Sequence, residues 1–115
     1  MGNNSCITNW VFQSSATQIG EGFILNISGG MVTMNIFITG DATASTCVFE
    51  GKDSDGNWYA VKCANLSTLT LATQTVGINE TWQADLTAWT SFRVRISAIT
   101  VSDTKSLSVK GKVVN

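Results

Sequence analysis

Thr46-Cys47-Val48-Phe49-Glu50-Gly51-Lys52-Asp53-Ser54-Asp55-Gly56-Asn57-Trp58-Tyr59-Ala60-Val61-Lys62-Cys63 reads as a β-hairpin. Two runs rich in β-branched, aromatic and apolar residues flank Asp53-Ser54-Asp55-Gly56-Asn57, whose Asp, Gly and Asn residues suit the positive-φ positions of a tight turn. On the outgoing strand Cys47, Phe49 and Gly51 share one face, and Val48, Glu50 and Lys52 the other. The return strand turns inward either Trp58 and Ala60 or Tyr59 and Val61, and both phases stay open.

Working outward, the same period of two recurs. Upstream, Ile7 to Ser14 sets Trp10 and Phe12 on one face and Val11 and Gln13 on the other. Phe23, Leu25 and Ile27 alternate with Ile24 and Asn26, and Gly29-Gly30 reverses the chain. Val32, Met34, Ile36 and Ile38 then alternate with Thr33, Asn35 and Phe37. Downstream, Leu69 and Leu71 alternate with Thr70, Ala72 and Gln74 in a short strand or crossing segment, and Trp82, Ala84 and Leu86 share a face. Phe92, Val94, Ile96 and Ala98 alternate with Arg93, Arg95 and Ser97, and Leu107, Val109, Gly111 and Val113 with Ser108, Lys110 and Lys112. No window shows helical apolar spacing. About eight short strands with turn signals between them predict an all-β fold, an antiparallel β-sandwich of jelly-roll type. Residues 1–6 are expected to be a polar arm and 7–115 a single domain.

With 115 residues the chain buries about two-thirds of the surface its unfolded form exposes. Charged residues make up 13%, about half the usual share, and the net charge is -1. Such a surface has no field to steer it toward nucleic acid or an anionic membrane. No apolar run approaches the roughly 20 residues of a membrane helix. Neither a basic n-region nor an apolar h-region opens the sequence, and Cys6, Cys47 and Cys63 are an odd number, so free thiols in a reducing cytosol are expected. A Cys47–Cys63 disulfide across the hairpin is the alternative.

Catalytic constellations are missing. Without a histidine, neither Ser-His-Asp nor Cys-His machinery can be built, and Glu50, Glu80 and Asp85 suggest a carboxylate pair only by default. The oxygen-rich Asp53 to Asn57 run lacks the ligand set of a calcium loop and reads as a turn. The expectation is a protein that is not an enzyme and has no cofactor or metal. If the Arg93/Arg95 and Lys110/Lys112 strands pair, their outward faces form a four-cation ladder that needs acidic partners, for which Glu50 and Asp85 are the candidates. Phe37, Val11, Ile24 and Ile99 fall out of phase, on outward faces, and together suggest a contact between chains or a covering segment of the same chain.

Phe49-Glu50-Gly51-Lys52-Asp53-Ser54-Asp55-Gly56-Asn57-Trp58-Tyr59, then Trp82-Gln83-Ala84-Asp85-Leu86-Thr87-Ala88-Trp89 and Phe92-Arg93-Val94-Arg95-Ile96, resembles a β-sandwich module of tailed-phage structural proteins. The resemblance implies a virion component made in the host bacterial cytoplasm. It would be a capsid decoration, head-fibre, neck or tail-associated subunit that contacts copies of itself and other virion proteins. The same Asp-Gly-x-Trp hairpin recurs in carbohydrate-binding sandwiches. In that alternative Trp58, Tyr59, Trp82 or Trp89 stacks on a glycan.

Overall fold

The computed structural model describes residues 9–27, 33–75, 77, 79–87, 89–100 and 105–113. The alternating segments form β1 (Asn9–Ala16), β2 (Leu25–Asn26), β3 (Thr33–Gly40), β4 (Ala44–Lys52), β5 (Trp58–Ala60), β6 (Cys63–Asn65), β7 (Thr70–Ala72), β8 (Glu80–Asp85), β9 (Ser91–Thr100) and β10 (Leu107–Val113). A six-stranded sheet, β1-β10-β3-β8-β6-β7, packs on a four-stranded one, β2-β9-β4-β5, and the strand pairs are antiparallel. This is the expected β-sandwich, and no helix occurs among the described residues. The expected arm, the Gly29-Gly30 turn, Val32 and the turn at 101–104 lie outside those residues.

The apolar phases behave as alternation requires. Met34, Ile36, Ile38, Trp82, Ala84, Leu86, Leu107 and Val109 face inward from the larger sheet, and Cys47, Phe49, Phe92, Val94 and Ile96 from the smaller; all are buried. Two aromatic pairs join the sheets. Phe49 lies 5.1 Å from Trp82, and Phe12 meets Phe92 edge-on at 5.7 Å. Each such pair contributes about 0.5–1.5 kcal/mol beyond the area it buries.

The hairpin turn is built on Asp53. Its carbonyl accepts the Gly56 N–H at 3.2 Å, its own N–H donates to the Asn57 carbonyl at 3.0 Å, and its Oδ1 accepts from the Asp55 and Asn57 N–H groups. Gly56 has φ 89°, so the loop is a type I turn closed by a glycine bulge. Opposite Gly51 stands Tyr59, and opposite Lys52 stands Trp58. Tyr59 and Val61 therefore take the inner phase, and the Trp58–Ala60 alternative is the outer one. The Trp89 ring lies directly on Gly51, in the space a Cβ would fill.

Three expectations are corrected. First, β9 and β10 do not pair: β9 lies between β2 and β4, and β10 between β1 and β3. Arg93 and Arg95 thus stand on the outer face of one sheet and Lys110 and Lys112 on the outer face of the other. Second, a register shift between Thr46 and Cys47 lodges Ser97 as an extra residue in β9. The bulge leaves Ala98 exposed and turns Ile99, expected outward, in against the core. Third, register shifts on both sides of Gln13 turn this polar residue inward. Its Nε2 donates to the carbonyls of Gly20 at 3.2 Å and Val94 at 3.0 Å. Residues 17–24 form a strap that crosses from β1 to the other sheet, where Gly20 exchanges backbone hydrogen bonds with Ile96 at 3.1 and 2.9 Å. The Gln13 amide supplies the donor that the irregular strap cannot.

Glu50 is the cross-strand partner of both arginines. Its Oε1 accepts from Arg93 Nε at 2.8 Å and Arg95 Nε at 3.1 Å, and its Oε2 from Arg95 Nη2 at 3.2 Å. Glu21 on the strap adds a contact to Arg93 Nη1 at 3.4 Å, and the Arg93 guanidinium lies 3.9 Å from the centre of the Trp58 ring. Asp85, the other candidate partner, instead accepts from the Thr87 N–H and hydroxyl. Burial raises the Glu50 carboxyl, but the hydrogen bonds from Arg95 and Arg93 outweigh it and hold the group below the usual glutamate range. Because the folded value is depressed, this contribution to stability is complete above an unfolded pKa of about 4.3 and is lost as pH falls through the folded value. In a urea-denaturation double-mutant cycle at pH 7, Glu50→Gln and Arg95→Gln should couple by about 0.5–3 kcal/mol. The coupling should shrink on acidification below pH 4, and strictly additive losses at pH 7 would reject the pair.

Candidate functional site

The larger sheet ends at β1 and β7, and several of the exposed apolar side chains lie there. The β6–β7 turn is fixed by Asn65, a buried residue whose Oδ1 accepts the Ser67 N–H at 2.9 Å and whose carbonyl accepts the Leu69 N–H at 2.7 Å. This closure holds Leu69 at φ 59° with 83% of its surface exposed. Left-handed backbone costs a branched residue roughly 1–2 kcal/mol, so Leu69 is displayed to solvent at an expense in stability. Leu71 is 68% exposed on the outer face, and Leu66 stands at the start of the turn.

At the opposite edge Val11 is 46% exposed. Phe23, in phase with Leu25 yet exposed, stacks on Trp10 with ring centres 6.3 Å apart, and Ile19 projects from the strap. Single exposed apolar residues are ordinary, whereas grouped ones make these two edges the candidate site. Neither edge strand contains a charged residue and the chain has no proline, so these edges are limited only by the shortness of β7 and by the register shifts and strap of β1.

The out-of-phase residues do not gather into one patch. Val11 and Phe37 share a row on the outer face of the larger sheet, with Lys110 between them. Phe37 is half-buried there, with Thr81 opposite on β8. Ile24 is half-buried just before β2 of the other sheet, and Ile99 is turned inward. Sequence reasoning missed Leu66, Leu69 and Leu71 as surface residues. Their alternation was visible, but nothing local to it says that the strand ends a sheet.

The aromatic candidates for glycan stacking also divide. Trp82 is fully buried against Phe49 and donates its Nε1–H to Glu80 Oε1 at 2.9 Å, so it offers no face to a ligand. Trp58 is half-buried beneath the Arg93 guanidinium, with Lys52 Nζ also near its ring. Tyr59, 49% exposed, and half-buried Trp89 remain together, with ring centres 6.1 Å apart.

Nucleophilic chemistry has no support in this arrangement. Cys47 and Cys63 are free and buried, not joined across the hairpin, and burial pushes both thiols up to about 12. Among the described residues no three His, Cys, Asp or Glu side chains gather into a metal site.

A family model described as XepA matches residues 6–113. The chain is 30% identical over 105 residues to the uncharacterized protein YqxG of Bacillus subtilis (strain 168), covering 91% of this chain and 34% of the relative. Among solved structures, the SPBc2 prophage-derived protein YomS superposes with a TM-score of 0.84 at 25% identity, over 95% of this chain and 93% of that one. The PBSX exported protein XepA gives 0.87 at 28% identity, over 95% of this chain and 38% of that one. The chain thus spans about a third of YqxG and of XepA but nearly all of YomS, and none of these descriptions names an enzymatic activity.

The state of the thiols can be measured directly. Iodoacetamide at pH 8 should leave Cys47 and Cys63 unmodified in the folded protein and label both in denaturant, as read by peptide mass spectrometry; rapid labelling of either in the folded protein would contradict their burial.

Proposed function

The chain belongs to the XepA family, and on that premise we propose that it is a non-enzymatic phage structural protein that acts by assembly. Its partners are copies of itself and other virion proteins of the capsid, neck or tail. Its place is the virion, reached after synthesis in the bacterial cytoplasm. The observation that carries this reading is the display of Leu66, Leu69 and Leu71 at one edge of the larger sheet and of Val11 and Phe23 at the other, with Ile19 exposed on the strap. An isolated subunit gains nothing from a leucine held almost wholly in water by a strained turn. A subunit that buries it against a neighbour recovers about 25 cal/mol for each Å² of apolar surface removed from water. The sparse charge also supports the reading, since few ions need desolvation on contact.

A second reading, carbohydrate binding, is favoured only by the adjacent Tyr59 and Trp89 rings beside the hairpin turn. It is compatible with assembly, since a virion subunit can hold a glycan.

Light scattering at matched concentrations should give a discrete oligomer for the wild type and a lower mass for the double substitution Leu69→Ser, Leu71→Ser. Thermal melting would verify that both proteins are folded. A wild type that stays monomeric at high concentration would remove self-assembly from the proposal. In a parallel titration, tryptophan fluorescence should not respond to bacterial surface glycans; a saturable change abolished by Tyr59→Ala would establish the second reading instead.

A further inference from the structure

The inner phase of β4 reads Ser45, Cys47, Phe49 and Gly51, and its first member breaks the apolar pattern. Ser45 is 7% exposed, and its Oγ has no hydrogen-bond partner among the described residues. A buried hydroxyl in this position is a cost to folding. It lines a recess of about 310 Å³ at the end of the β4–β9 ladder, together with Thr43, Ala98, Ile99 and Thr100 of the ladder and Gly77 beyond β7. Small side chains leave this space open. Ala42-Thr43-Ala44 leads into Ser45, and the bulge at Ser97 brings Ala98 to the exposed side of β9.

The β4 backbone points the same way. The Phe49 N–H donates to the Thr73 carbonyl at 3.0 Å and the Phe49 carbonyl accepts from Val61 at 2.8 Å, both away from β9. Two residues earlier, the Cys47 carbonyl accepts the Thr75 N–H and the Cys47 N–H donates to Thr75 Oγ1, each at 2.9 Å. Strand alternation directs the Ser45 N–H and C=O to this side as well, past Thr75, the last of these partners among the described residues. Ser45 therefore presents an amide donor, a carbonyl acceptor and a hydroxyl at one point. A donor beside an acceptor complements a secondary amide. Ala98 and Ile99 give an apolar wall suited to a methyl group, and the Thr43 and Thr100 hydroxyls can each donate and accept. None of the described lining residues is charged, so the ligand is neutral. The volume is at the lower end of the roughly 300–1,000 Å³ of ligand pockets, which suits one ring and not a longer chain. We propose that this recess binds a neutral acetamido sugar unit, with the acetamido group at Ser45. The unpaired hydroxyl is then kept for a ligand at the expense of stability. The recess lies at the opposite end of β4 from Tyr59 and Trp89, and no tryptophan is among its described lining residues, so binding there is silent in tryptophan fluorescence.

Backbone-amide NMR of the isotope-labelled full chain tests this. N-Acetylglucosamine should give saturable shifts centred on Ser45, Gly77, Ala98 and Thr100, and glucose, which lacks the acetamido group, should not. Ser45→Ala should weaken the binding roughly three- to tenfold, the worth of one hydrogen bond, and should melt at the same or a higher temperature because it removes an unpaired polar group. Ala98→Leu, at an exposed position, should fill the recess and abolish binding while the rest of the spectrum stays native. Absence of a saturable shift, or an equal response to glucose, would overturn the proposal. A stronger response to N-acetylalanine methylamide would overturn the sugar assignment and make the recess a peptide site. Unchanged affinity in both variants would overturn it by placing the ligand elsewhere. A lower melting temperature for Ser45→Ala would overturn it too, since the hydroxyl would then already be paired in the free protein.

Discussion

The ladder between β4 and β9 is the constraint on which the rest of this sandwich depends. Its register, from Ala44 opposite Thr100 to Lys52 opposite Ser91, fixes two faces at once. Inward it aligns Cys47 and Phe49 with Ile96, Val94 and Phe92, producing the apolar floor onto which Trp82 and Phe12 descend from the other sheet. Outward it places one carboxylate, Glu50, between two guanidinium groups. A shift by one residue would expose the core and bury the charges, so hydrophobic and electrostatic terms select the same register. The hairpin turn at Asp53 and the Trp89 ring on Gly51 hold the end of the ladder.

Away from the ladder the chain becomes irregular, and several of its exposed apolar side chains lie there. The strap cannot continue a strand and still cross between sheets. Gln13 closes the gap by reaching the Val94 and Gly20 carbonyls from β1. Phe23 then settles on Trp10 at the sandwich's open side, half in water. At the other end β6 pairs with β8 over two residue pairs, Ala64 with Gln83 and Asn65 with Trp82, and β7 pairs with β6. Cys63 and Ala72 of this hairpin face the core, while Leu69 and Leu71 stay largely in solvent.

The reactive groups that the structure describes are committed to the fold. Its described cysteines are buried and protonated, its best-placed carboxylate is committed to two arginines, and histidine is absent from the sequence. The prophage-derived YomS shares this fold over nearly its whole length.

The sequence by itself determined the strand class and most inner faces, because a period of two is a local property that each segment carries without knowing its neighbours. Met34, Ile36 and Ile38, the face of Trp82, Ala84 and Leu86, the Asp53 turn and the pairing of Glu50 with the arginines were all legible in this way. Only the tertiary structure decided which strands became neighbours. It separated Arg93 and Arg95 from Lys110 and Lys112, inserted Ser97 as a bulge that turned Ile99 inward, drew Gln13 into the core and left β1 and β7 as edges. Adjacency, bulges and edges are set by contacts between residues far apart in the chain. The alternation of Leu69 and Leu71 was plain in the sequence, but whether a core lay against them depended on the strands that packed elsewhere.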